Sequence, residues 1–592
     1  ENQKNEGIAR DTKGYERNAI RLNVDFKVNN WLKFSSKTNF IKRVNKSSGG
    51  MDLFGLTLAE SDVNLFANNP DGQPYQLIPN LWAATVSNPL YSLYKGDPVA
   101  LTNTYLGAYS ANIKLADWLS LDAEYTLEVA NGRSESYFGK DYYVGGGPQS
   151  NLYTQYSTGS MSKSSYFSLS QKTQFTANLT KSWEDLTIKG RLSYLLEDAH
   201  YESFYGSGSN LIYAGVKSLD NFDKANTNTS SSYNDQRAKN AFAILGLDYK
   251  DRYIFDGMFR MDGSSLFGAN HRWNNYYRVS GAYRISKDFD IPGVQELKIH
   301  AALGTAGQRP GFSWQYDRIS LSGGSLSTQR TQSNPDLLPS ETTELEVGLS
   351  GRFLNRFNFE GLYSSAETAN QFMLVDLFAP ANSGQNKKWA NIGSVEFKTI
   401  ELTLGAEVIK QEDFNWNLNF AFSTTKNEIT KLDVDPIKVG PSSAFRIEKG
   451  LQFGTMFGRK FVTTLADMSK QLPAGKTIGD YKVNSDGVVV LTSAIGTPNE
   501  KAIILEHDGV EAYEKIGNST PDFTLGISST MKYKNFNFYM LWDIKSGGNI
   551  YNQNGQWLTR DNRSAMTDQA GKAEADKKTH SYYQSLYDVN QV

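Results

Sequence analysis

Residues able to do covalent or metal chemistry are few in this chain and badly spaced for it. The five histidines, His200, His271, His300, His507 and His580, show no metal-ligand spacing. There is no cysteine, so thiolate metal sites and disulfides are excluded. The stretch GDYKVNSDG (479–487) approaches a calcium loop, but Lys482 stands where that pattern needs an acid. No nucleophile elbow, phosphate-binding loop or zinc motif occurs. The sequence therefore points to no catalytic residue, no metal and no cofactor. What remains is non-covalent chemistry. Trp82, Trp314 with Tyr316, and Trp389 lie in polar segments, where aromatic faces suit sugar rings through stacking. The same rings also serve loop packing, the plainer reading. Arg260, Asp262 and His300 alternate with apolar neighbours, which puts those neighbours on the other face of a strand.

The elements that carry these residues follow a period of two. In FNWNLNFAF (414–422), Phe414, Trp416, Leu418, Phe420 and Phe422 take every second place, and Asn415, Asn417 and Asn419 fall between. Such alternation marks a strand whose two faces meet different surroundings. It recurs at 20–28, 119–129, 186–196, 253–261, 297–303 and 400–408. These strands are about nine to eleven residues long, enough to cross a bilayer at a ~45° tilt, whereas soluble strands average about five or six. They come in pairs joined by short turns at Asn29–Asn30, Ala116–Trp118, Trp183–Asp185, Lys250–Arg252, Leu354–Arg356, Lys410–Asp413 and Lys534–Asn535. A longer link, Ser286–Glu296, joins one more pair, which makes about eight hairpins and sixteen strands. Between hairpins the connections are long: 44–103, 130–165, 197–238, 304–341, 364–398 and 425–521. Short turns at one end and long loops at the other are the layout of an outer-membrane barrel.

Composition agrees with that layout. The net charge of −2 gives no field that would gather nucleic acid. No helical run of 18 apolar residues occurs, so a helical span is excluded. The chain opens on ENQKNEGIARDTKGYERN, which lacks the apolar core of a signal peptide. Either the protein stays inside, or the chain begins partway through a longer precursor. Trp31, Trp118, Trp183 and Trp416 lie in or beside the short turns, where a bilayer would meet water; capping a soluble core is their alternative role. A soluble sandwich alternates too. Strand length, asymmetric connections and the lack of a 20-to-50-residue repeat favour the membrane. The expected fold is all-β: a large antiparallel transmembrane β-barrel with short periplasmic turns and long extracellular loops, with residues 1–592 forming part of it. A barrel this wide holds water or a plug, so Asn, Arg, Asp and Glu can face inward at little cost.

Several stretches look like one known family. FRMDGSSLFG (259–268) resembles the Arg-x-Asp-Gly-Ser-Ser-x-Phe-Gly signature of SusC/RagA-type TonB-dependent outer-membrane transporters. LKIHAALGTAGQ (297–308) is similar to that family's next strand and its Gly-Thr-x-Gly-Asn/Gln end. NPDLLPSETTELEVGL (334–349) resembles the following Asn-Pro-x-Leu-x-x-Glu-Thr-Thr block. ANIGSVEFKTIEL (390–402) resembles the Asn-Ile-Gly…Gly-Ile-Glu-Leu segment, with Thr399 where Gly is usual. IGNSTPDFTLGISSTMKYKNFNFYML (516–541) is similar to the Ile-Gly-Asn-x-x-Pro hairpin. The blocks come in the family's order.

The resemblance implies a barrel of about 22 strands, about sixteen of them from this chain. The family's plug domain, its TonB-contacting segment and its closing strands have no counterpart in the sequence. It implies location in the bacterial outer membrane, contact with outer-membrane lipid, and TonB-dependent import of an oligosaccharide or oligopeptide. It also implies capture of that ligand beneath a SusD-like surface lipoprotein, and that two transporter–lid pairs can assemble as a dimer. Trp82, Trp314, Tyr316 and Trp389 would then meet ligand or lid, and Arg260, Asp262 and His300 would face the lumen. Turn formation is the plainest reason for the DGSS motif. One other function stays open. A barrel could merely anchor a surface structural or adhesion protein. A barrel-embedded hydrolase would need a Ser/His or Asp/His constellation, and none is seen. The charged run GKAEADKKTH (571–580) reads as a solvated loop.

Overall fold

Every short turn expected from the sequence joins two long strands in the computed structural model of the chain. The structure describes all residues except 1, 6–13, 47–55, 58–62, 70–71, 73, 78–87, 89, 92–93, 95–96, 146–154, 317–318, 323, 329 and 588–592. Several turns use the left-handed backbone that two-residue hairpins demand, with positive φ at Lys250, Asp251, Leu354, Asn355 and Lys534.

The described chain divides into two units. The first comprises Glu1–Asn178 and Leu192–Ala241. Its strands are β1 (Tyr15–Lys27), β2 (Leu32–Asn45), β3 (Asp97–Ala116) and β4 (Leu119–Gly145), with most of β5 (Gln155–Ser182), β6 (Leu186–Ser209) and β7 (Thr227–Tyr249). Consecutive strands from β1 to β4 pair antiparallel. Serine and threonine hydroxyls link the rest: Ser134 to Ser164 at 2.7 Å, Thr176 to Ser193 at 2.9 Å and Ser203 to Ser232 at 2.7 Å. The polar face is wired by Asp122, whose carboxylate accepts from Asn112 at 2.6 Å and Asn178 at 2.5 Å.

The second unit comprises Leu179–Arg191 and Phe242–Val592. After the ends of β5 to β7 it contains β8 (Tyr253–Ser264), β9 (Trp273–Arg284), β10 (Val294–Gln308), β11 (Ser340–Phe353), β12 (Phe357–Asp376), β13 (Lys387–Lys410), β14 (Phe414–Leu432), β15 (Pro521–Tyr533) and β16 (Phe536–Gly547). Each neighbouring pair from β8 to β16 is antiparallel. Long strands thus number sixteen among the described residues, as the sequence led one to expect.

Two expectations need correction. The strands are not limited to the length of a bilayer crossing: β4 has 27 residues, β5 28 and β13 24. Much of the connections expected at 130–165, 197–238 and 364–398 is therefore strand. The apolar alternation fades there, yet backbone pairing continues. Second, the connection 425–521 is not a loop but a folded module. Residues 437–439, 445–447, 455–459 and 513–518 form a four-stranded sheet, and Tyr481–Val483 pairs with Val489–Leu491.

The module carries its own buried apolar clusters, and another joins Tyr137 of β4 and Met161 of β5 to Leu211 and Phe222. Val490 packs with Phe461, Val488, Ala502, Tyr582 and Tyr583, and Val489 packs with Val462, Met468 and Tyr481. The run 571–580 is also not simply solvated. Lys578 is buried and its Nζ lies 2.7 Å from Glu500 Oε1, which is fully buried. Glu500 further accepts from the Gly496 amide at 2.8 Å. The stretch that approaches a calcium loop is a hairpin turn, in which Asn484 Oδ1 accepts from the Asp486 amide and Nδ2 donates to Tyr582.

The long strands instead show their apolar rows. Ile20 is 74% exposed and Phe536 77% exposed, and Leu22, Phe26, Phe255, Phe259, Ile400 and Leu402 are exposed as well. Leaving such side chains in water forfeits about 1.5–3 kcal/mol each. A continuous row of them needs another solvent, which hydrocarbon supplies. Trp31, Trp118 and Trp183 are exposed beside their turns, so they cap no core.

Candidate functional site

Four of the sequence blocks quoted above meet at the ends of β8, β10, β11 and β13, beside β12. The first turn after β10 is a 3₁₀ segment, Phe312–Trp314. Gly311 precedes it, and a methyl group there would sit 2.6 Å from the Trp314 ring, so the indole lies flat on the backbone only because the residue is glycine. The Asn334 amide donates to Trp314 O at 2.8 Å, and Asn334 Nδ2 donates to Trp389 O at 2.8 Å. One asparagine thereby holds both tryptophans. Their rings stack at 3.8 Å between centroids with 14° between planes, and Phe372 meets Trp314 edge-on at 5.3 Å.

The same block is fastened twice more. Asn391 Oδ1 accepts from the Leu338 amide at 2.9 Å, and its Nδ2 donates to Leu338 O at 3.0 Å and Asn370 O at 2.8 Å. Leu337 is fully buried. On the other side, Gln315 Nε2 and Tyr316 Oη donate to Ser265 O at 2.9 and 3.4 Å. Gly268 lies so close to Pro335 that a methyl group would come within 1.8 Å of its carbonyl oxygen. The DGSSLFG turn itself is closed by the Ser264 hydroxyl, which accepts from the Leu266 amide at 3.2 Å. These motifs are a clasp that fixes loops to strand ends, and the turn-forming role read for DGSS is the one seen.

Of the residues singled out from sequence, Trp314, Tyr316 and Trp389 come together here. Trp82 lies outside the described residues. Asp262 is buried, with Arg309 at 2.7 Å and Arg260 at 3.7 Å from its carboxylate oxygens. Arg260 and Asp262 share the face opposite exposed Phe259 and Met261. His300 stands apart on β10, 3.7 Å from Glu346 and opposite exposed Ile299. Sequence reasoning missed Phe372, Asn334 and Arg309. Asn334 carried a signal, since it opens the NPDLLP block, but its partners lie 20 and 55 residues away. The tryptophan pair spends one face of each ring on the other, so it presents a rigid slab with exposed Tyr316 beside it. Among the described residues no group of acids and histidines could hold a metal.

Sixteen long antiparallel strands, exposed apolar rows and a polar opposite face define an outer-membrane receptor barrel. Residues 45–584 match the profile described as TonB dependent receptor-like, beta-barrel, and the chain belongs to that family. It is 22% identical over 575 residues to the TonB-dependent receptor P26 of Formosa agariphila, covering 92% of this chain and 55% of that protein. It is 24% identical over 555 residues to the TonB-dependent receptor SusC of Bacteroides thetaiotaomicron, covering 86% and 51%. The fold is similar to the RagAB peptide importer in its closed-closed state, with a TM-score of 0.73 and 18% identity over 94% of this chain and 60% of that one. The barrel is thus of the SusC/RagA type. The chain spans about half the length of these two curated relatives.

Proposed function

We propose that the complete protein imports a bulky nutrient, an oligosaccharide or oligopeptide, across the outer membrane under the control of TonB. A SusD-like surface lipoprotein serves as its lid. The observation that carries this reading is the family match across 45–584, on a sheet whose apolar rows are exposed. The likeness to a peptide importer and to SusC supports the class of cargo. In this reading Arg260, Asp262 and His300 line the water-filled side. Trp314, Tyr316 and Trp389, joined by Trp82, meet ligand or lid.

The test is growth of cells carrying the full-length gene on defined oligosaccharides or oligopeptides as sole nutrient. Uptake should vanish when either TonB or the lid gene is deleted. Uptake that persists without TonB would reduce the barrel to an anchor or a passive pore.

A further inference from the structure

Beside the aromatic slab, a cavity of about 380 Å³ opens between β12, β13, β14 and the segment that follows Ile447. Its walls are Met373, Val395, Phe397 and Ile429, closed by Ile447 and Phe453. Val395 and Ile429 are buried. The covering segment is held in place: the Phe453 amide donates to Asn427 Oδ1 at 2.6 Å, and the Ile429 amide donates to Leu451 O at 2.9 Å. Val395 and Phe397 lie on the face of β13 opposite exposed Ile400, Leu402 and Leu404, so the lipid that wets those rows does not reach them.

An apolar pocket on the otherwise polar face of such a sheet costs solubility and must be explained. A sugar ring is a poor occupant, because each hydroxyl pushed among Val, Ile and Phe loses its water partner with little to replace it. The rim does offer polar groups, the Gln371 carboxamide and Lys431, whose Nζ is 2.8 Å from Asp433. A carboxamide donor and acceptor above an apolar hole match a peptide group with an apolar side chain hanging below it. Phe372 belongs to both the pocket wall and the aromatic slab, so a chain lying on the slab can drop one residue into the hole.

We infer that this cavity is a selectivity pocket for one large apolar side chain, leucine or phenylalanine, of an oligopeptide ligand. The inference rests on the import reading above and names its cargo class. It is tested on the full-length transporter purified with its lid. The probes are synthetic seven-residue Gly/Ser peptides bearing Leu, Phe or Ser at the centre, with maltoheptaose as the glycan control. Gly393→Leu fills the pocket, since a Cβ at Gly393 meets nothing closer than 3.4 Å. Its folding is checked by thermal unfolding.

Wild type should bind the Leu and Phe peptides about tenfold or more tightly than the Ser peptide. In Gly393→Leu that preference should collapse while Ser-peptide binding stays. Phe453→Ser, which opens the pocket from the loop side, should weaken the same preference without touching the strands. Equal binding of all three peptides overturns the pocket and leaves the import reading intact. Binding of maltoheptaose but no peptide overturns the cargo class. A lipid acyl chain that copurifies with wild type and is lost in Gly393→Leu overturns the inference in favour of a lipid site.

Discussion

The strand Tyr15–Lys27 and the hairpin Tyr481–Val483/Val489–Leu491 are both apolar-rich and β-structured, yet they treat their side chains in opposite ways. In the strand, Ile20, Leu22 and Phe26 stand exposed in a row. In the hairpin, Val489 and Val490 are adjacent and both fully buried, one in each of two separate clusters. The first has a polar face and an apolar face because two solvents flank it. The second has apolar residues on both faces because protein covers both. Alternation therefore reports how many environments a strand sees, and burial reports which of them is the protein itself.

The sharpest way to separate the two regions is to strike the module's ion pair. Lys578→Ala leaves Glu500 buried and unpaired, and should cost the module about 3–5 kcal/mol. Hydrogen exchange should rise throughout 455–510 and 578–586 and stay unchanged in β8 to β14. The double change Glu500→Leu/Lys578→Met should restore most of the loss. Matched acceleration in the long strands would mean that the two regions are one cooperative body and break the contrast.

The next effect belongs to the membrane face. Leu22→Arg should destabilise the barrel in lipid vesicles by about 2–4 kcal/mol, the cost of a cation near the bilayer midplane, while Asn23→Arg on the other face should be close to neutral. Urea unfolding of vesicle-inserted protein reads both. Equal costs would deny that hydrocarbon touches only one face.

The smallest of the three sharpens the comparison at the clasp, where strand ends meet loops. Asn334→Ala removes the side-chain bond to Trp389 O and should cost about 1–3 kcal/mol. Near-ultraviolet circular dichroism should lose the signal of the coupled Trp314–Trp389 pair. An unchanged signal would show that ring packing, not Asn334, holds the slab.

How much was legible in the sequence depends on the range of the interaction. The turns at Lys250–Arg252 and Lys534–Asn535 were readable because a hairpin is local. So were the apolar faces of β1, β8 and β13, since a period of two is written in consecutive residues. The later part of β4 and the earlier part of β5 were not: Ser, Asn, Gly and Tyr there look like loop, and the cover that buries Tyr137 and Met161 comes from Leu211 and Phe222, far along the chain. Trp314 and Trp389 stood out one by one, but no local pattern says that Asn334, 20 and 55 residues away, bonds the backbone of both.

By itself, the sequence determined that this chain makes long antiparallel ribbons with one greasy face, and its motif blocks determined the SusC/RagA kind of barrel. Only the tertiary structure decided that those blocks form a clasp, that Phe461, Val488, Val490 and Ala502 pack around Tyr582, and that Lys578 is buried against Glu500. The physical reason is distance along the chain. Lys578 and Glu500 are 78 residues apart, and no local pattern states which distant partner will exclude water from a charge.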